Sequence, residues 1–142
     1  MGSATISWSS KEQYIVALSR TEAEYRGTAT TTCEEVWIRR LLADLGEYID
    51  GAITIWCDNM STIQLAKNSV SHARTKPIEV HYHFVREKLI DGEVHLQYVS
   101  TNQQVAETLT KGLSIEKHTQ FRNMMGVISI DMVVGKHEGE ED

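Results

Sequence analysis

The sequence predicts an α/β protein, and three observations carry that prediction. Residues 53–57 (ITIWC) and 94–98 (VHLQY) are short β-branched and aromatic runs bounded by turn residues, which is the signature of strands. Around them, apolar residues recur at helical spacing over longer stretches. Strand and helix patterns therefore alternate along the chain, as in layered α/β folds. Taken element by element, the expected order is β-α-β-α-α-β-α-α.

The opening segment ATISWSSKEQ reads as the first strand, because Ile6 and Trp8 alternate with polar residues. Ser19 with Glu22 three residues on has the form of a capping box, so a helix should begin near Arg20. Ala29, Cys33, Val36, Trp37, Leu41 and Leu45 form its expected apolar stripe, and Gly46 stops it. Gly27 and the Thr30-Thr31-Thr32 run are poor choices inside that helix, since Gly alone costs about 1 kcal/mol against Ala.

The strand Ile53–Cys57 ends in Asp58 and Asn59. A short helix from about Ser61 to Lys67 should turn Ile63 and Ala66 inward. After a polar loop, Pro77 suits the first turn of the next helix. Ile78, Tyr82, Val85 and Leu89 are its stripe, and Asp91-Gly92 ends it. In the third strand Val94, Leu96 and Tyr98 alternate with His95 and Gln97.

Ser100-Thr101-Asn102, with Gln103 and Gln104 at capping-box spacing, should start a helix that presents Val105, Ala106 and Leu109 and stops at Gly112. A last helix holds Ile115, His118 and Phe121. Residues 1–127 are expected to form one domain, and 128–142 a tail. Val127 to Val134 is apolar and fits no single element type, and the acidic end should be disordered.

Composition narrows the function classes. At 142 residues the chain can bury its own core. No apolar run reaches the roughly 20 residues that span a bilayer, and no basic-then-apolar leader opens it. Cys33 and Cys57 are too few for a disulfide framework and lack CxxC spacing, so reduced, buried thiols in an intracellular chain are expected. His72, His81, His83 and Cys57 show no zinc-finger spacing. Trp37, Trp56 and Tyr82 fall on apolar faces and are expected in the core.

The net charge of −6 argues against a generally basic nucleic-acid binder, but four of the acids lie in the last six residues, HEGEED. Between Lys67 and Lys88 the balance reverses. Lys67, Arg74, Lys76, Arg86 and Lys88 face only Glu79 and Glu87. Such a stretch is either a solvated helix face or a surface for phosphates.

Three acids stand out once the elements are drawn. Glu24 lies in the first turns of the long helix, Asp58 ends the central strand, and Glu107 lies near the start of the helix after the last strand. A strand-ending acid sits rigidly at the carboxyl edge of a sheet, where open α/β folds place their chemistry. Clustered carboxylates call for a divalent cation, and hard oxygen ligands suit Mg²⁺ or Mn²⁺. The alternative is that all three are solvated surface acids, as most Asp and Glu are.

The segments ISWSSKEQ, ALSRTEAEY, VWIRRLLADLG, ITIWCDNMSTIQLAKN, HARTKPIEVHYHFVREKL and QQVAETLTKGL resemble, in that order, the ribonuclease H domain of copia-type LTR retrotransposon polyproteins. The resemblance covers roughly residues 4 to 127. It implies a ribonuclease H-like fold that cleaves the RNA strand of an RNA–DNA hybrid with two Mg²⁺ (or Mn²⁺) ions. On matching positions it implies that Glu24, Asp58 and Glu107 are the catalytic and metal-binding acids. Glu107 stands where family members usually have Asp, and its extra methylene moves the oxygens outward. Arg74 and Lys76 are the candidate phosphate contacts, and Asn59 the candidate contact to a sugar or base edge.

The family's domain begins with two strands ahead of ISWSSK, and the first carries a further catalytic Asp. Residues 1–19 contain no Asp. The expected fold is thus a ribonuclease H-like fold lacking its first two strands. The gap beside Ile53–Cys57 would be filled by residues 4–10, by an upstream polypeptide or by a second copy. The expected partners are an RNA–DNA hybrid and the reverse transcriptase portion of the same polyprotein, with no membrane. The expected location is intracellular, cytoplasmic in a virus-like particle or nuclear. The expected function is an ancestral Mg²⁺-dependent ribonuclease H, inactive as this fragment alone. The alternative is a non-catalytic fragment that binds nucleic acid or a protein.

Overall fold

The computed structural model describes residues 5–10, 16–17, 19–68 and 76–128, and, within these, no side chains for 76–79. The elements are α1 (Arg20–Asp44), β1 (Ile53–Cys57), α2 (Met60–Lys67), α3 (Lys76–Ile90), β2 (Val94–Tyr98), two 3₁₀ turns (Thr101–Gln103 and Val105–Leu109) and α4 (Ile115–Met124). The chain divides into two compact units. One is Tyr14–Gln104, and the other combines Met1–Gln13 with Val105–Asp142.

In the Tyr14–Gln104 unit, β1 and β2 run parallel, from Ile53 opposite Val94 to Cys57 opposite Tyr98. Parallel strands need a crossover, and α2 with α3 supplies it. Strand alternation turns Ile55, Cys57, Val94 and Leu96 inward, where they meet Tyr25 and Ala29 of α1, Ile63 and Ala66 of α2, and Val85 of α3. The Tyr25 and Tyr82 rings pack with centroids 4.1 Å apart. α3 ends as expected. Gly92, at φ 70°, lets the Gly92 and Glu93 amides bond back to the Leu89 and Lys88 carbonyls.

The long helix is sound despite its sequence. Ser19 caps it by accepting from the Glu22 amide at 3.1 Å. The hydroxyls of Thr28, Thr30, Thr31 and Thr32 each donate to the carbonyl one turn back, so none is left unsatisfied against the helix.

Its buried face, however, is not the expected stripe. Tyr25, Thr28, Ala29, Thr32 and Val36 are buried, whereas Cys33, Trp37, Leu41 and Leu45 are exposed. The two sets share a 3.6-residue period, and threonine can line a core once its hydroxyl is bonded to the helix. Of the expected stripe, Ala29 and Val36 are buried as expected, and the other four residues are not. Trp37 and Trp56 are 58% and 54% exposed, so neither is a core residue, and of the two thiols only Cys57 is buried. Tyr82 is half-buried against the core, as expected.

Three further expectations are corrected. Residues 5–10 form no strand. Thr5 makes two hydrogen bonds to the Met125 carbonyl, but Ile6 and Trp8 are exposed and, among the described residues, no strand pairs with this segment. Alternation gives a strand only when another strand takes up its backbone groups. The helix expected from Ser100 to Leu109 is two 3₁₀ turns, because the chain leaves helical geometry at Gln104, whose φ and ψ are −75° and 100°. Its inward residue is Glu107 rather than the exposed Ala106. In α4 only Phe121 of the expected set is buried, while Ile115 and His118 point to solvent. Among the described residues the strand-helix order is therefore α-β-α-α-β-α, with the 3₁₀ turns before α4. The expected tail, 128–142, lies outside the described residues except for Ile128.

Candidate functional site

The carboxyl edge of the sheet gathers the chemistry-bearing groups of the Tyr14–Gln104 unit. β1 ends at Cys57, and Asp58 follows, half-buried. Asn59 is the N-cap of α2. Its side-chain oxygen accepts from the Thr62 amide at 3.2 Å, a role that directs it along the helix it starts. Thr62 in turn donates its hydroxyl to the Thr21 carbonyl at 3.4 Å, tying α2 to the first turn of α1. Glu24 stands on that same part of α1.

Cys57 lies buried at the end of β1. Burial pushes its thiol above the usual range. The Asn59 carbonyl, which accepts from Sγ at 3.6 Å, works against that shift, and the carboxylates of Glu24 and Asp58 add to it. On the side of β2, the Thr101 hydroxyl donates to Asp58 Oδ2 at 3.2 Å. The Gln104 side-chain Nε2 donates to the Trp56 carbonyl, also at 3.2 Å. The sequence placed both at an expected helix start and gave neither a part in the site. Only the parallel pairing of β1 with β2 puts the turn after β2 beside the end of β1.

Glu107 belongs to the other unit and is differently employed. It is buried on the Val105–Leu109 turn and accepts from Lys111, and Lys117 Nζ lies 3.6 Å from its second oxygen. The Lys111 hydrogen bond, chiefly, holds its carboxyl below the usual range. Lys117 also sits 5.3 Å over the Phe121 ring. A carboxylate with two ammonium partners is already neutralised, so it makes no demand for a cation.

Asp58 and Glu24 are oxygen donors that suit one hard cation, which commonly completes its shell with waters and phosphate oxygens. A two-ion site asks for more. Among the described residues no group of three or more His, Cys, Asp or Glu is placed to hold a metal ion.

Of the candidate nucleic-acid contacts, Arg74 lies outside the described residues, and Lys76 begins α3 with its side chain undescribed. In the basic stretch, Lys88 is paired with Glu93 at 2.9 Å, which raises its pKa and takes it out of the count of free cations. Among the described residues no helix is long and apolar enough to cross a membrane.

The sequence has clear relatives. Over 130 residues, 92% of the chain, it is 43% identical to the retrovirus-related Pol polyprotein from transposon RE2 of Arabidopsis thaliana. It is 42% identical over 130 residues to the corresponding polyprotein from transposon RE1 of the same plant. It is 42% identical over 128 residues, 87% of the chain, to that from transposon TNT 1-94 of Nicotiana tabacum. The chain spans 9% of the length of each of these relatives. No protein-family model matches the chain, and no solved structure matches it. The chain is homologous to a short segment of retrotransposon Pol polyproteins.

Proposed function

We propose that this polyprotein segment is a ribonuclease H-like module of copia type, which receives an RNA–DNA hybrid at the carboxyl edge of its sheet, and that its 142 residues alone bind the hybrid without hydrolysing it. The observation that carries this reading is the placement of Asp58, half-buried at the end of a parallel strand and beside the first turn of α2, with Glu24 on the first turns of α1, which Thr62 ties to α2. That is where an α/β sheet presents groups to a ligand.

Asp58 and Glu24 would hold a divalent ion, Mg²⁺ or Mn²⁺. The chemistry such an ion supplies when bound is charge stabilisation on a phosphodiester and activation of water. Asp58, fixed at the strand end, orients that ligand set, while Arg74 and Lys76 meet backbone phosphates. Absence of turnover follows from the ligand count, because Glu107 is engaged by lysines and no third described carboxylate joins the pair. Completion by the reverse transcriptase portion, by an upstream strand or by a second copy would supply the missing ligands.

The test is an RNA–DNA hybrid incubated with the chain in Mg²⁺ and in Mn²⁺, with binding followed in parallel by fluorescence anisotropy. Binding that weakens as salt rises, without release of RNA fragments, is the expected result. Cleavage that disappears in Asp58→Asn would overturn the claim of inactivity. Failure to bind the hybrid at low salt would overturn the module itself.

A further inference from the structure

We propose that Thr101 is a positioning residue for Asp58, its hydroxyl setting the orientation of the strand-end carboxylate. The proposal rests on the reading of Asp58 as an ion ligand given above. Thr101 Oγ1 donates to Asp58 Oδ2 at 3.2 Å.

A single exposed contact of this kind would fix little. Here it is one of three from the same short segment, and together they hold three successive residues at the end of β1. Gln104 Nε2 donates to the Trp56 carbonyl at 3.2 Å, the Val99 amide donates to the Cys57 carbonyl at 3.0 Å, and Thr101 takes Asp58. The segment is therefore tied to β1 on both sides of Thr101 in sequence.

The segment is also closed on itself. The Gln103 amide bonds to the Ser100 carbonyl at 2.8 Å, and the Gln104 amide to the Thr101 carbonyl at 3.3 Å, forming the Thr101–Gln103 turn. A β-branched side chain on a pinned backbone has few rotamers left, so the hydroxyl is presented to Asp58 with little freedom. A carboxylate oriented beforehand loses less rotational entropy when it takes an ion. Partners that orient a ligand in this way are worth about tenfold or more in metal affinity.

The full chain, ¹⁵N- and ¹³C-labelled, is titrated with Mn²⁺ while paramagnetic broadening of the Asn59 amide is followed by NMR. Thr101→Val removes the donor at nearly constant shape, and Thr101→Ser keeps it. The expected result is a rise of about tenfold in the Mn²⁺ needed for half-broadening in Thr101→Val, with most of the loss recovered in Thr101→Ser. Both melting temperatures should stay near that of the parent chain, which a merely structural role would not predict. Equal Mn²⁺ responses in the parent and Thr101→Val, or equal losses in both variants, would overturn the proposal.

The ion reading has its own control. If Asn59 is not broadened in the parent chain, or is broadened equally in Asp58→Asn, that reading fails. The Asp58 carboxyl carbon then decides the positioning claim. Its resonance should move in Thr101→Val and not in Thr101→Ser, and an unmoved resonance in Thr101→Val sinks it.

Discussion

The Tyr14–Gln104 unit and the unit made by Met1–Gln13 with Val105–Asp142 bury different things. The first closes over a contiguous apolar cluster from two strands and three helices, and its strand-end acid, Asp58, stays half-exposed with a hydroxyl donor beside it. The second buries Phe121 together with a carboxylate, Glu107, that two lysines neutralise. The two acids have similar chemistry and the same implied role in the family resemblance. Their surroundings differ in the charge of the groups that partner them. Asp58 accepts from a neutral hydroxyl, whereas Glu107 has its counter-charge supplied by two lysines of the chain. A resemblance transfers a residue's position but not its electrostatic neighbourhood.

The contrast can be broken most forcefully at the apolar core. Tyr25 is 1% exposed and packs on Tyr82, so Tyr25→Ala should cost about 3–5 kcal/mol in a denaturant melt. That loss should vary little between pH 4 and pH 7, since a cavity has no charge to titrate. A loss under about 1 kcal/mol would mean that the Tyr25 contacts contribute little to stability.

Glu107→Gln probes the other kind of burial, and its effect should depend on pH. The folded carboxyl lies below its ordinary value of 4.5, so its pairing stabilises the fold fully above that value and is lost as pH falls through the lowered one. The variant should therefore melt several degrees below the parent chain at neutral pH, and the gap should close on acidification. A gap independent of pH would show that the lysines contribute nothing through charge. Adding Mg²⁺ should leave the gap unchanged, and a rise in melting temperature on Mg²⁺ addition that the variant lacks would restore Glu107 as a ligand.

The smallest effect is expected at Gly27, exposed in the middle of α1, where an added Cβ meets nothing within 4 Å. Gly27→Ala should stabilise by about 0.5–1 kcal/mol, because alanine leaves less backbone entropy to lose. Thermal unfolding that shows destabilisation would imply a partner close to that face of the helix.

What could be learned from the linear chain was governed by local physics. Ser19 could be identified as a cap and Gly46 and Gly92 as stops because each answers to hydrogen bonds within a turn of itself. Ile53–Cys57 and Val94–Tyr98 declare themselves as strands because β-branched side chains disfavour the alternatives. The placing of Asp58 at a strand end and Glu24 in the first turns of α1 followed from those elements.

Tertiary structure alone decided the rest. The face of α1 that is buried depends on what packs against it, and threonines with satisfied hydroxyls served in place of Trp37 and Leu41. Residues 5–10 carry a strand's alternation, but a strand exists only with another to bond it. Ser100–Leu109 carries a helix's caps but breaks at Gln104, whose side chain reaches back to β1. The neighbours of the two acids, Thr101 for Asp58 and Lys111 with Lys117 for Glu107, are set by pairing and packing, and these supply the charge and the hydrogen bonds that determine what an acid can do.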